Sequence, residues 1–216
     1  MYDLIIVGAG GFARELRQFV RACFPPAAVK LKGFLSNNPH DFDNFEIDEP
    51  ILGDPATYSP QLKDRFLLAI GSIGHRRSVV EQLKARSARF LTLIHPTAYV
   101  DDNAKIGEGC IIYPFASVMN AAVIGDFVTM SIYASAGHDT RIGDYCNLSP
   151  YATMNGFSVL EEDVFLGTHA SVLASIRVGR GSKVSANSVV TQNAKPNTLI
   201  FGVPGQHSRL LGCPPD

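Results

Sequence analysis

A histidine followed at once by an acid, His138-Asp139, is the pair in this sequence best suited to chemistry. An imidazole close to its ordinary pKa can take up a proton at neutral pH, and an adjacent carboxylate can orient the ring and stabilise the imidazolium that results. The pattern predicts a general base. The remaining histidines carry less. His40 lies in a polar stretch and His95 precedes Pro96, so both read as structural, while His169 reads as peripheral, with a place in an acceptor or CoA cleft as the alternative. There is no His-x4-His pair, so a zinc site of three convergent imidazoles is not expected. Cys23, Cys110, Cys146 and Cys213 show neither metal nor disulfide spacing, which suits a reducing compartment.

The element that must hold this pair is a repeat. From Ile94 to Val190 an aliphatic or small apolar residue recurs every six positions without an insertion, and a mostly small residue follows four positions after each. Neither a helix, with its period of 3.6, nor an alternating strand, with its period of 2, produces that rhythm; a parallel β-helix does. Cys110 and Cys146 then fill small inward slots. Gly107, Gly125, Gly137, Gly143, Gly167 and Gly179 each follow an aliphatic residue, where a turn is expected to need glycine.

The first ninety residues have another rhythm. Strands are predicted at Tyr2–Val7, Val29–Leu35 and Phe66–Ile70, and helices at Ala13–Cys23 and Arg76–Ser87, the second with a polar face. Strand alternating with helix implies a small parallel sheet, a Rossmann-like α/β domain over 1–93. The β-helix domain with a C-terminal cap then occupies 94–216, with His95-Pro96 at the junction. Gly8-x-Gly10-x-x-Ala13 fits the glycine fingerprint that opens a helix N-terminus to a phosphate. The acid expected at the end of the second strand is absent, since Ser36-Asn37-Asn38 stands there. There is also no room for a second mononucleotide-binding half. A nicotinamide dehydrogenase is therefore not expected. A mononucleotide or nucleotide-sugar site is one reading of the loop, and a plain tight turn at Gly10-Gly11 is the other.

With 216 residues, a net charge of −1 and no lysine/arginine-rich run, the composition argues against nucleic acid and against a polybasic membrane contact. MYDLIIVGAGG has no basic leader and its apolar run is too short to span a bilayer, so a cytoplasmic protein without a membrane span is expected.

Taken together, Val7-Gly8-Ala9-Gly10-Gly11-Phe12-Ala13-Arg14-Glu15, Ala69-Ile70-Gly71, His95-Pro96, Gly137-His138-Asp139 and Gly202-Val203-Pro204 resemble the bacterial sugar acyltransferases. That family includes sialic-acid O-acetyltransferases and nucleotide-amino-sugar N-acetyltransferases. The resemblance implies a left-handed parallel β-helix of hexapeptide repeats after the α/β domain, assembled as a homotrimer. It implies an acyl-CoA co-substrate, acetyl-CoA above all, and a nucleotide-linked amino sugar or sugar hydroxyl as acceptor, with no permanently bound cofactor and no metal. His138 matches the family's general base and Asp139 the acid that holds it. Gly8, Gly10, Gly11, Phe12 and Arg14 match the nucleotide loop, with Ser36, Gly71 and Ser72 completing the substrate side. Gly156, Thr168 and Ala186 match positions lining the acyl-CoA site, and Asn147 stands where many members carry a second histidine. Phe12, Ser36 and Ser131 depart from residues common in the family, which leaves the sugar, the oxygen or nitrogen acceptor and the acyl chain open.

If three hexads make one coil, as the resemblance implies, residues eighteen apart form columns. The column through His138 reads Asp102, Asn120, His138, Gly156, Ala174, Gln192, which predicts a bare backbone groove beside the histidine. Ile111, Tyr113, Phe115, Ile132, Tyr133, Tyr151, Phe157 and Phe165 fall outside the inward slots, an apolar surface that subunit packing would cover. A non-catalytic nucleotide-sugar scaffold or sensor remains the alternative.

Overall fold

Leu4, Ile5, Ile6 and Val7 are all wholly inaccessible, which only a strand covered on both faces achieves. They belong to β1 (Tyr2–Val7), the centre of a parallel sheet that also contains β2 (Val29–Leu35), β3 (Ile51–Gly53) and β4 (Asp64–Leu68) in the order β3-β2-β1-β4. Helix α1 (Gly11–Cys23) follows β1, and α2 (Ile73–Ala85) follows β4. The computed structural model describes residues 1–210, the Ile73 side chain excepted, and the chain divides at Leu93/Ile94 into two compact units. Cys213 and the end of the C-terminal cap lie outside the described residues. Among the described residues no helix is long and apolar enough to cross a membrane.

Several boundaries differ from the sequence reading. Gly10 is the extended N-cap of α1, so the helix opens at Gly11 rather than Ala13. Ser72 caps α2, which therefore starts three residues before Arg76, and Arg76 is buried rather than part of a solvated polar face. β3 is three residues long, too short to carry a periodic signal.

The second unit is a parallel β-helix with eighteen residues per coil. Val123 pairs with Lys105 on one side and Arg141 on the other, Thr129 with Ile111 and Asn147, and Ser135 with Ser117 and Thr153. Three sheets of two-residue strands thus form a triangular prism, and an antiparallel hairpin, Thr198–Phe201 with Gln206–Arg209, ends one of them. The hexad residues Ile112, Val118, Met130, Leu148, Leu166, Val172 and Val190 meet the small residues Cys110, Ala116, Ala134, Cys146, Ala152 and Ala170 in one continuous buried core.

The glycines serve a different purpose from the one expected. Gly107, Gly125, Gly137, Gly143, Gly167 and Gly179 are not the positive-φ residues of the turns; those are Phe115, Phe127, Tyr133, Asp139, Tyr145, Tyr151, Phe157 and His169 among others, at φ near +60°. Phe127, Tyr133, Asp139, Tyr145, Tyr151, Phe157 and His169 each donate the backbone N–H to the carbonyl nineteen positions earlier, as Tyr151 does to Ile132 (3.1 Å) and Tyr145 to Asp126 (2.8 Å). The left-handed conformation costs about 1–2 kcal/mol for a residue with a Cβ. Ring stacking, worth about 0.5–1.5 kcal/mol per pair, offsets much of that. Phe115, Tyr133, Tyr151 and His169 stack at 5.1, 4.9 and 4.7 Å, and Phe127 on Tyr145 at 5.1 Å. The glycines instead allow close approach between coils. A Cβ on Gly137 would stand 2.7 Å from the Met154 carbonyl oxygen, and one on Gly143 2.7 Å from the Glu162 nitrogen. Gly107 and Gly125 make room for Asp126 and Asp144, whose carboxylates accept the N–H groups of Glu108 and Asp126.

Of the outward apolar residues, Ile111 and Tyr113 are buried within this one chain. Ile132 and Phe165 are half-buried, whereas Phe115, Tyr133, Tyr151 and Phe157 remain 43–58% exposed.

β4 begins two residues before the expected Phe66, at a buried acid. Asp64 accepts hydrogen bonds from Lys32 Nζ, Tyr58 Oη and the Gln61 N–H, each at 2.8 Å. Burial pushes the carboxyl up, but these donors outweigh it and hold its pKa below the ordinary 3.8. A carboxyl depressed in the folded state stabilises the fold above its unfolded pKa, and this stability is lost as the pH falls through the folded value. Thermal melts should therefore show Asp64→Asn destabilised by about 1–3 kcal/mol at pH 7. They should also show a shallower loss of stability than the wild type below pH 3.8. An unchanged acid limb in the variant would remove Asp64 from this role.

Candidate active site

His138 stands on the corner that follows the strand Ser135–Ala136, and the coil register brings Gly156 into the next coil beside it. Asp139 is locked at φ +58° by its N–H bond to the Asn120 carbonyl (3.0 Å), and that conformation turns its carboxylate back to the imidazole. His138 Nδ1 and Asp139 Oδ2 are 2.9 Å apart. A carboxylate only accepts, so Nδ1 carries the proton of the neutral ring and Nε2 presents a lone pair. The ring edge meets Phe157 at 5.2 Å and 86°. Both members of the pair are solvent-facing, with side chains 60% and 43% exposed.

The column through His138 exists, but the groove beside it is not bare. The imidazole itself lies over Gly156, where a Cβ would stand 2.6 Å from Nε2. Glycine at 156 thus provides the seat of the ring, and the open backbone begins one coil further, at the exposed Ala174. Three coils beyond His138, roughly 14 Å along the axis, Gln192 reaches a cavity of about 500 Å³ that also takes in Asn193, Lys195, His207 and Arg209 and, among the described residues, is lined by no acid.

The other residues expected at the acyl-CoA site lie elsewhere on the prism. Thr168 and Ala186 are stacked on the neighbouring corner, next to the exposed His169. Asn147 is half-buried on the sheet of Thr129–Met130 and Phe165–Leu166, the face opposite the His138 corner. Within one chain, His138, Asp139 and Gly156 converge; Asn147, Thr168 and Ala186 do not join them.

The glycine loop divides into positions the fold needs and positions it leaves open. Gly8 is at φ +114° and a Cβ there would stand 2.7 Å from the Ala69 carbonyl oxygen, so β1 and the end of β4 need glycine for their own packing. A Cβ on Gly10 or Gly71 would meet nothing within 4 Å, and one on Gly11 would meet only the tip of Arg14 at 3.9 Å. Their missing side chains serve no contact inside the unit and leave backbone open at the starts of α1 and α2. Neither helix has an acid in its first turn, and Ser72 makes no side-chain cap bond. The two positive helix ends follow β1 and β4, adjacent strands at which the strand order reverses, where ligands of open α/β sheets bind. Phe12 is half-buried, and Arg14 lies 3.8 Å above the Phe45 ring.

A cavity of about 360 Å³ opens beside this loop, lined by Gly8, Ser36, Asn37, Asp54, His75 and Gln82 among others. Sequence reasoning missed Asp54, His75 and Gln82. His75, Val79 and Gln82 share one face of α2 at i, i+4, i+7, a signal hidden when the helix is started at Arg76. Among the described residues no three His, Cys, Asp or Glu side chains are grouped to hold a metal ion.

Residues 3–83 match the PglD N-terminal domain, and residues 159–192 the hexapeptide repeat of succinyl-transferase. GDP-perosamine N-acetyltransferase from Escherichia coli is 30% identical over 114 residues, covering 53% of this chain and 52% of the relative. UDP-N-acetylbacillosamine N-acetyltransferase from Bacillus subtilis is 32% identical over 117 residues, covering 52% and 51%. The chain spans about half the length of these curated relatives. Over nearly its whole length the fold is similar to PerB from Caulobacter crescentus, solved with CoA and GDP-perosamine (TM-score 0.85, 25% identity, 96% and 98% covered). It is equally similar to the acetyltransferase domain of PglB from Neisseria gonorrhoeae, solved with acetyl coenzyme A (TM-score 0.85, 25% identity, 95% and 98% covered). The chain thus joins an α/β unit that matches the PglD N-terminal domain to a β-helix, part of which matches the hexapeptide repeat, in a fold shared over nearly its whole length with PerB.

Proposed function

We propose that the chain transfers an acetyl group from acetyl-CoA to the amino group of a nucleotide-linked sugar, with His138 as general base. The observation that carries this reading is the 2.9 Å bond from His138 Nδ1 to Asp139, which leaves Nε2 free to accept a proton in solvent reach of a ligand. The neutral amine attacks the thioester carbonyl and Nε2 takes the proton it sheds. The carbon–sulfur bond then breaks, and the imidazolium, steadied by Asp139, returns the proton to the departing thiolate. The two N-acetyltransferase relatives and the PerB complex support nitrogen over oxygen as the acceptor. Acetyl-CoA enters and CoA leaves in each turnover, the pantetheine arm along Ala174 and the anionic end against Lys195 and Arg209. The sugar's diphosphate meets the open backbone at Gly10 and Gly11. The reading is of a cytoplasmic enzyme.

The same reading includes a homotrimer with active sites between subunits. Thr168, Ala186 and Asn147 can share a cleft with His138 only if they come from a second copy, because one prism carries Thr168 and Ala186 on another edge and Asn147 on the opposite face. The exposed Phe115, Tyr133 and Tyr151 ladder supplies apolar surface for that contact.

Three measurements test these statements. His138→Ala should lower kcat by about 10²-fold or more while acetyl-CoA still binds; near-normal turnover would remove His138 from the mechanism. Gly156→Ala should keep its melting temperature, since the exposed ring can swing aside, yet lose kcat as the imidazole leaves its seat. Wild-type kcat in that variant would show that the seat is irrelevant. Light scattering at assay concentration should give about three times the 23.3 kDa chain mass, and a fully active monomer would overturn the shared site.

A further inference from the structure

The strand end that lacks an acid in the sequence has one in the structure. Ser36, the first residue after β2, donates its hydroxyl to Asp41 Oδ2 at 2.5 Å, and Asn38 Nδ2 donates to Asp41 Oδ1 at 2.7 Å. The backbone N–H of Asn38 donates in turn to Ser36 Oγ at 3.3 Å, so the serine is oriented as well. The other nearby acid, Asp43, is engaged by His40 Nδ1 at 2.9 Å. The next residue after Asp41, Phe42, packs edge-on against Phe34, which is wholly buried on β2, at 4.7 Å and 76°. Asp41 is therefore anchored to the sheet by its own neighbour and to the strand end by Ser36.

We infer that Asp41 is the carboxylate that reads the ribose hydroxyls of the nucleotide-linked substrate, with Ser36 as its positioning residue. The inference rests on the proposed nucleotide-sugar reading. A diphosphate at the loop between β1 and α1 directs the attached ribose toward the end of the neighbouring β2, where an acid accepts hydrogen bonds from its hydroxyls. Loop and strand end are held side by side, since the Gly8 N–H donates to the Leu35 carbonyl at 2.8 Å. Ser36 and Gly8 both line the 360 Å³ cavity, so the hydroxyl that holds Asp41 belongs to the wall of a space able to take a ligand. Each oxygen of Asp41 accepts one bond from Ser36 or Asn38 and retains a second lone pair. Ionised, the group only accepts, and the donors it matches are a pair of hydroxyls. A serine at 36 with an acid five residues on thus does the work of a strand-end acid from one side chain further out.

Calorimetry on the intact chain with GDP and UDP, each in its ribo and 2′,3′-dideoxy form, tests this. The nucleotide that binds should lose about tenfold or more in affinity when its ribose hydroxyls are removed, the range of a hydrogen bond to a charged group. In Asp41→Asn, which keeps the shape of the loop, the ribo and dideoxy forms should bind equally. Ser36→Ala should shrink the ratio without touching the carboxylate itself. This ratio is insensitive to a merely structural defect, which would weaken both forms together. Equal affinity of the two forms for the wild type, or an undiminished ratio in Asp41→Asn, would overturn the role of Asp41 and leave the nucleotide site intact. Failure of both GDP and UDP to bind would overturn the nucleotide reading and this inference with it.

Discussion

The hydrogen bonds from one coil to the next, repeated every eighteen residues, are the interaction on which the candidate site depends. Strand amides such as those of Ser135 and Gly137 reach the carbonyls of Ala152 and Met154, and turn amides such as that of Asp139 reach back to the coil before. This ladder leaves the chain no choice of height at a corner. Wherever two coils must approach most closely a glycine is required, and wherever the turn must pass through left-handed space a side chain able to recover the cost is favoured. The imidazole of His138 over Gly156, and the carboxylate of Asp126 over Gly107, are two uses of the same construction. One seats the proposed base; the other satisfies a backbone amide.

The turn residues also show why the corners are unequal. One carries Phe115, Tyr133, Tyr151 and His169 as an exposed stack, another holds Phe127 and Tyr145 buried, and the third carries Asp139. Only the third has a carboxylate in left-handed conformation directly after a histidine. The proposed catalytic pair is therefore built from adjacent positions on a rigid edge, and its geometry follows from the backbone rather than from side-chain packing. Being exposed, the pair needs walls from elsewhere to exclude water, which is the physical case for a site completed by a second subunit.

In the α/β unit the equivalent constraint is the adjacency of β1 and β4. Gly8 belongs to that packing, so its glycine would be needed with no ligand at all. Gly10, Gly11 and Gly71 are different, because nothing in the unit competes for the space a side chain would take. Openness of backbone at two helix starts, without an acid in either first turn, is a feature that folding does not demand and anion binding does.

The six-residue period by itself determined the β-helix and its inward residues, because no other regular structure repeats at six, and the adjacent His138 and Asp139 were legible because their interaction is local. The strand–glycine–helix pattern likewise determined the α/β unit, though its helix starts were misjudged where Gly10 and Ser72, rather than apolar periodicity, set the boundary. What only the tertiary structure decided depends on contacts distant in sequence. Gly156 became the seat of the imidazole, the hexad glycines became close-approach points instead of turn residues, and Asn147 went to a face and Thr168 to an edge away from His138. The acid missing after β2 arrived from Asp41 through the Ser36 hydroxyl. A linear pattern encodes period and neighbourhood, whereas which side chain fills the space above a given backbone atom is settled only when the coils are stacked and the loops are docked on the sheet.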